Sequence, residues 1–204
     1  MNNVDLLKQI RRILVLAKTS ANYSKDPFDQ ERLAEIVKIA TDILTDGVPE
    51  HEQALQAGFT EDAGYITPKV DVRIQIKNEA GEILFVQDRR TGEWTLPGGF
   101  AEIGASPVEN ALRETYEETG LTVQIERLLG IFDTDKRRDI PQLAQYYKIF
   151  FVAKIQSGSF KKNIETKQAK YFSIDDLPEL SKQRTTREQL IKLESLDKGS
   201  VFIE

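Results

Sequence analysis

The hydrophobic period of this chain changes once, near residue 69, and the change divides it into a helical part and a strand-rich part. Residues 3–18 put Leu6, Ile10, Ile13 and Ala17 on one face, with Leu7 and Leu14 beside them, which is helical spacing. Asp26-Pro27-Phe28-Asp29 reads as a second helix start, with Asp26 as cap, Pro27 at the first helical position and Asp29 in the first turn. Leu33, Ile36, Val37, Ala40, Ile43 and Leu44 continue that helix until Asp46-Gly47-Val48-Pro49 stops it. Two such helices, joined by a loop at about 19–27, cannot bury both stripes alone, so they are expected to pack on the rest of the chain or on a second subunit. From residue 69, Val70, Val72, Ile74 and Ile76 alternate with polar residues. The turn Asn78-Glu79-Ala80-Gly81 leads into Ile83-Leu84-Phe85-Val86, a hairpin pattern. Trp94-Thr95-Leu96, residues 121–133 and 144–155, and Tyr171-Phe172 are further strand candidates, and 185–196 reads as a last helix. The expected division is a helical hairpin domain at 1–57, a linker at 58–68 and an α/β domain at 69–204.

Composition narrows the chemistry. The chain has no cysteine, which excludes disulfides, thiolate zinc sites and a cysteine nucleophile. Its single histidine, His51, excludes a multi-histidine metal site and is expected to be exposed and inert. With 28 Lys+Arg against 33 Asp+Glu, the net charge of −5 disfavours non-specific nucleic-acid binding. No apolar run reaches the ~18 residues of a membrane span. No secretion signal is read at the start, so a cytoplasmic protein is expected.

The chemistry concentrates between Gly98 and Leu121. Ser106-Pro107-Val108-Glu109 is a capping box with proline at the first helical position, and Gly120 is placed to stop the helix. Inside it, Glu114, Glu117 and Glu118 fall within an arc of about 100°. Like charges at this spacing cost a few tenths of a kcal/mol per pair. Arg113 is the in-helix partner for Glu117, at i+4. A solvated acidic face is the ordinary meaning of such a run. A divalent cation would instead turn the repulsion into ligation, and oxygen-only ligands suit Mg²⁺ or Mn²⁺.

This stretch resembles the Nudix box, Gly-x5-Glu-x7-Arg-Glu-U-x-Glu-Glu-x-Gly-U, where U is bulky and apolar. Gly99, Arg113, Glu114, Glu117, Glu118, Gly120 and Leu121 match it. Ala105 replaces the first glutamate, and Thr115 occupies the first U position. The resemblance implies an α/β/α sandwich around a mixed sheet, preceded here by the small helical domain. It also implies hydrolysis of nucleoside diphosphates linked to another group, X. By the same resemblance Glu114, Glu117 and Glu118 are metal ligands, the Gly98 carbonyl adds an oxygen, and Arg113 orients Glu117. Glu102 is a candidate to compensate for Ala105. Glu165, in Asn163-Ile164-Glu165-Thr166, is the candidate general base, with an exposed loop glutamate as the alternative.

The helical hairpin, Gly98-Gly99-Phe100-Ala101-Glu102, Tyr147-Lys148-Ile149-Phe150-Phe151 and Asp176-Leu177-Pro178-Glu179-Leu180-Ser181 are similar to a bacterial Nudix subgroup with an extra N-terminal domain. That subgroup acts on CDP-choline, ADP-ribose or related compounds and is typically dimeric, which implies a homodimer. The wider family's ADP-ribose marker, a proline closer behind the box, is replaced by Lys136 and Arg137, with Pro141 further on. Arg73, Arg89 and Phe100 are substrate-binding candidates. Their alternatives are surface ion pairs for the arginines, and packing for Phe100 and for Trp94. Residues 135–139 read as a solvated hairpin tip. Two other functions stay open: a nucleotide-sensing regulator, and a pyrophosphohydrolase of 5′-triphosphate RNA or dinucleoside polyphosphates. The long hairpin loop and the charge of 1–57, seven Lys/Arg against nine Asp/Glu, speak against DNA binding.

Overall fold

The computed structural model describes residues 3–46, 65–137, 139 and 144–204. His51, Arg138, Pro141 and most of the expected linker lie outside the described residues. The chain forms two compact units. One holds the described residues of Met1–Lys69 and Thr134–Tyr146, the other Val70–Asp133 and Tyr147–Glu204.

In the first unit α1 (Asn3–Tyr23) and α2 (Pro27–Asp46) form the hairpin. Asp26 caps α2 as expected, its Oδ1 accepting from the amides of Phe28 at 2.8 Å and Asp29 at 3.1 Å. The connection is shorter than the expected 19–27 loop. Residues 19–23 contain no Gly or Pro, so α1 runs on to Tyr23 and only Ser24–Asp26 links the helices. Loop length therefore does not argue against a helix-turn-helix; the acidic balance of 1–57 still does. The stripes also split differently. Ile10, Leu14, Ala40 and Leu44 are buried together between the helices, and Ala17 is buried as well. Leu6 and Ile13, expected on the same face, are exposed with Leu16, as are Ile36, Ile39 and Ile43 on α2. Residues 134–136 form a 3-10 turn. Asp135 pairs there with Arg11, and Lys8 donates to the carbonyls of Asp135 and Arg137. The start of the 135–139 segment is thus held by α1 rather than standing free in solvent.

The second unit is the α/β domain. One sheet has the order β1 (Lys69–Ile76), β5 (Tyr146–Gly158), β4 (Leu121–Asp133), β7 (Phe202–Ile203). The other has the order β3 (Trp94–Thr95), β2 (Ile83–Asp88), β6 (Thr166–Phe172). β4 runs parallel to β7 and antiparallel to β5, so the arrangement is mixed. Period-two alternation sends side chains to two cores. Val72, Ile74, Ile76, Leu84, Val123, Phe151 and Ala153 pack with Ala111 of α3 (Pro107–Thr119). Ile83, Phe85, Leu129, Phe132 and Phe150 pack with Leu190 and Leu193 of α4 (Arg187–Glu194). Strands therefore lie between two helices, the α/β/α arrangement expected. β6 is longer than the two residues expected, and β7 was not foreseen, being too short to show a period. Trp94 belongs to the core, 4.8 Å from the ring of Phe172.

α3 is bounded as the sequence implies. Ser106 and Glu109 close the capping box, and Gly120 takes a left-handed φ of 74°. A Cβ on Gly120 would also stand 2.7 Å from the Ser159 carbonyl. Gly120→Ala is expected to cost at least about 1 kcal/mol, from left-handed strain before any clash is counted. Urea unfolding followed by Trp94 fluorescence measures it.

Candidate active site

The site is built on the turn Pro97-Gly98-Gly99, which lies along β1. Val72 donates to the Gly99 carbonyl at 2.8 Å, Ile74 to the Pro97 carbonyl at 2.9 Å, and Ala101 to the Val70 carbonyl at 2.9 Å. Gly98 adopts φ 136°, and a Cβ there would run into the Val72 carbonyl. Gly99 is required for another reason: its Cβ would stand 2.5 Å from the Glu114 carboxylate. The two glycines thus let the turn approach both the sheet and α3.

α3 brings its carboxylates to this turn. Glu118 is 7% exposed, and its Oε2 accepts from the Gly98 amide at 2.8 Å. Glu114 lies against Gly99. Glu117, one position before Glu118, is exposed. Among the described residues no bond joins Arg113 to Glu117, its expected i+4 partner, although the Glu117 charge acts on it. The Arg113 guanidinium reaches Glu114 at 3.0 Å, Glu102 at 2.7 Å and the Asn110 amide oxygen at 3.0 Å. Arg113 lies beside the Glu102 loop, where bonds to Glu102 and Asn110 compete with an exposed Glu117. Glu102 is therefore engaged in an ion pair. Ala105 is exposed, and its carbonyl accepts from Asn110 Nδ2 at 3.2 Å. Thr115 is buried with its hydroxyl satisfied by the Ala111 carbonyl at 2.8 Å, so the smaller residue packs without an orphaned polar atom.

Asn110, missed in the sequence, organises the 101–106 loop. Fully buried, it accepts from the Glu102 amide and donates to the carbonyls of Glu102, Ala105 and Ser106. Asn163 does the same for the Glu165 loop. Its Nδ2 donates to the Glu118 carbonyl at 2.9 Å, and its Oδ1 accepts from the amides of Glu165 and Thr166. Glu165 is exposed on that loop, near enough for its charge to act on Glu114. Arg89 braces the same loop, donating to the carbonyls of Asn163 at 3.0 Å and Thr166 at 3.3 Å. Phe100 is exposed at the end of the glycine turn.

Arg73 is neither a surface residue nor an open fork for phosphate. It is 3% exposed, with Nε and Nη2 closed on Asp71 at 2.8 and 2.6 Å and Nη1 donating to Thr95 Oγ1 and the Leu96 carbonyl. Buried Lys148 reaches Asp71 at 3.2 Å and the Arg184 carbonyl at 3.0 Å. The polar residues that alternate with the apolar ones in β1, Asp71, Arg73 and Gln75, are buried too. The available signal was opposite charges at i and i+2 on a strand otherwise fit for a core.

Burial pushes the Glu118 carboxyl up to about 7, against the opposing pull of Arg73, the Gly98 amide and Arg184. Burial likewise raises Glu114, with Glu117 and Glu165 adding to the rise, while Arg113 and Arg73 oppose it. Both shifts mark negative charge that the surrounding cations do not fully compensate. A hard divalent cation fits that need and this oxygen-only donor set. The carboxylates do not close into a cage: among the described residues no three acidic or imidazole groups are gathered around one point.

The linkage has a definite sign. Between the usual pKa of about 4.5 and about 7, folded Glu118 holds a proton that the unfolded chain releases. Metal-free protein should therefore lose stability as pH rises through that window, by an amount on the order of 3 kcal/mol. Glu118→Gln should flatten the dependence. Urea midpoints at pH 5 and 7.5 in EDTA, for both proteins, give the difference.

Comparison with known proteins agrees with this geometry. Residues 67–193 match the NUDIX domain, and residues 4–59 match a UDP-X-like, N-terminal oligomerisation domain. The Bacillus subtilis protein named "Putative ADP-ribose pyrophosphatase YjhB" is 36% identical over 200 residues, covering 96% of each chain. A crystal structure of a UDP-X diphosphatase matches with TM-score 0.65 and 35% identity over the whole of both chains. An ADP-ribose pyrophosphatase structure from Streptococcus suis matches with TM-score 0.59 and 34% identity, covering 68% of this chain and all of the other. A domain match over more than half the chain, with a near full-length relative, assigns the protein: it belongs to the Nudix hydrolase family and is a pyrophosphatase-type enzyme with the UDP-X-like N-terminal domain.

Proposed function

We propose that this enzyme is a Mg²⁺- or Mn²⁺-dependent hydrolase of the pyrophosphate bond in nucleoside diphosphate derivatives, giving a nucleoside monophosphate and phosphorylated X. The observation that carries the reading is the pair of undercompensated carboxylates, buried Glu118 and half-buried Glu114, against a glycine turn. The candidate substrates are ADP-ribose, a UDP-linked compound and CDP-choline. The first two appear in the names of relatives and structural neighbours, and the third comes from the subgroup resemblance. The working location is the cytoplasm; among the described residues no helix is long and apolar enough to cross a membrane.

In this reading Glu114, Glu117, Glu118 and the Gly98 carbonyl would hold the cation, which would supply neutralisation of charge on the pyrophosphate and activation of water. Arg113 positions Glu114, and Asn110 positions Arg113 and the Glu102 loop. Glu165 takes the proton of the attacking water as the new O–P bond forms and the bridging P–O bond breaks. Phe100 is the aromatic group offered to base or X, and Arg89 acts by bracing the Glu165 loop.

Hydrolysis of ADP-ribose, UDP-sugars, CDP-choline, a dinucleoside polyphosphate and nucleoside triphosphates tests this. The expected result is cleavage of a diphosphate-linked substrate that requires the metal and falls at least about 100-fold in Glu118→Gln. Binding without cleavage would favour a nucleotide sensor instead.

The N-terminal unit supports a homodimer. Leu6, Ile13 and Leu16 on α1, with Ile36, Ile39 and Ile43 on α2, leave apolar surface exposed, and this segment matches an oligomerisation domain. On this basis residues 1–57 are the association module and 69–204 the hydrolase. Light scattering should give a dimer mass, and Ile13→Glu with Ile39→Glu should give a monomer.

A further inference from the structure

Two cations bear on Glu118: Arg73 and Arg184. Arg73 is buried and committed to Asp71, Thr95 and the Leu96 carbonyl, so a substrate cannot recruit it. Arg184 is different. Its side chain is 38% exposed and pairs with Asp88, Nη1 to Oδ2, at 2.8 Å.

That pair is not what holds either partner in place. Asp88 anchors its own turn, its Oδ1 accepting from the amides of Arg90 at 2.8 Å and Thr91 at 2.9 Å. Arg184 is fixed through its backbone. Its carbonyl accepts from buried Lys148 at 3.0 Å, and its amide donates to the Ser181 carbonyl at 3.2 Å. The next residue, Thr185, is buried and bonded to Thr95 Oγ1 at 3.0 Å. Ser181 donates to the Trp94 carbonyl at 2.8 Å. The 181–185 loop is therefore stapled to the strand that leads into the glycine turn, independently of the Arg184 guanidinium. What remains is a partly exposed guanidinium on a rigid base, near enough for its charge to act on Glu118, paired with an acid whose turn bonds are made through its other oxygen.

We propose that Arg184 is a substrate ligand, its guanidinium leaving Asp88 for a pyrophosphate oxygen of a nucleoside diphosphate while Lys148 keeps its backbone in place. Guanidinium-to-phosphate hydrogen bonds are charge-assisted and geometrically matched, and the pair it gives up is a single contact open to water on the arginine side. The proposal rests on the pyrophosphohydrolase reading for its substrate class. Asp88 competes with substrate for the same side chain, so the two residues have opposite effects on affinity.

The test compares Arg184→Met, Arg184→Lys and Asp88→Asn with the wild type. Three readouts are used with Mg²⁺: KM and kcat on ADP-ribose, the Kd of ADP by calorimetry, and the thermal midpoint. Arg184→Met should raise KM and Kd about tenfold or more with little change in midpoint, and Arg184→Lys should fall between. Asp88→Asn keeps the turn acceptor but weakens the competitor, so KM and Kd should fall. A purely structural ion pair would lower the midpoint in both variants and leave KM and Kd unchanged, which overturns the proposal. If the wild type cleaves nothing, the hydrolase reading fails and the ADP Kd decides this proposal alone. Weaker ADP binding in Arg184→Met then supports it, and equal binding, or none by the wild type, overturns it.

Discussion

The hydrogen bond from the Gly98 amide to Glu118 joins the two halves of the site, and most of the surrounding structure serves to make it possible. A backbone amide can meet a helix carboxylate only if the turn has no side chain in the way, which fixes Gly98 and Gly99. The turn must also be rigid, which its pairing along β1 supplies. The helix must end where Glu118 reaches the turn, which Gly120 supplies. One bond from one amide is poor compensation for a carboxylate removed from water, and Glu118 accordingly holds its proton far above the usual range. The site is thereby left short of positive charge at the place where a cation would act.

Beneath the turn lies a second layer that is costly by itself. Two cations and one carboxylate, Lys148, Arg73 and Asp71, are buried together. Asp71 stays well below its ordinary value despite burial, because both cations favour its ionised form. Such a group is tolerated only with its partners satisfied, since removing one strands the others. Here it ties β1, β5, the strand before the glycine turn and the loop bearing Arg184 into one polar frame. The frame carries an excess positive charge toward the acidic face of α3, which moderates the repulsion among its glutamates.

Features written locally were legible in the sequence. The capping box, Pro107, the stop at Gly120 and the cap at Asp26 are short-range devices and formed as the residues imply. The alternation of β1 and the turn at Asn78–Gly81 gave the strands, but not the expected hairpin: β1 and β2 join different sheets, with one bridge described between Lys77 and Ile83. The fixed spacing of Arg113 and the three glutamates gave the family. Features that depend on distant partners were hidden. Arg113 turned to Glu102 and Glu114 because a loop came beside it, which helical spacing does not encode. Arg73 read as a phosphate ligand or a surface ion pair, and only its meeting with Asp71 and Lys148 across β1 and β5 makes it interior. The exposed faces of α1 and α2 were blurred because a wide apolar stripe does not say which part faces the hairpin partner.

On α3, burial that neighbouring cations do not offset raises the Glu118 carboxyl to about 7, so that a cation bound there would displace its proton. Calorimetric titration of Mn²⁺ at pH 7, repeated in buffers of different ionisation enthalpy, tests it most directly. Binding should displace about half a proton per site, as expected for a carboxyl with a pKa of about 7, and Glu118→Gln should abolish the displacement. Binding with no proton release, or release that survives Glu118→Gln, would contradict the account.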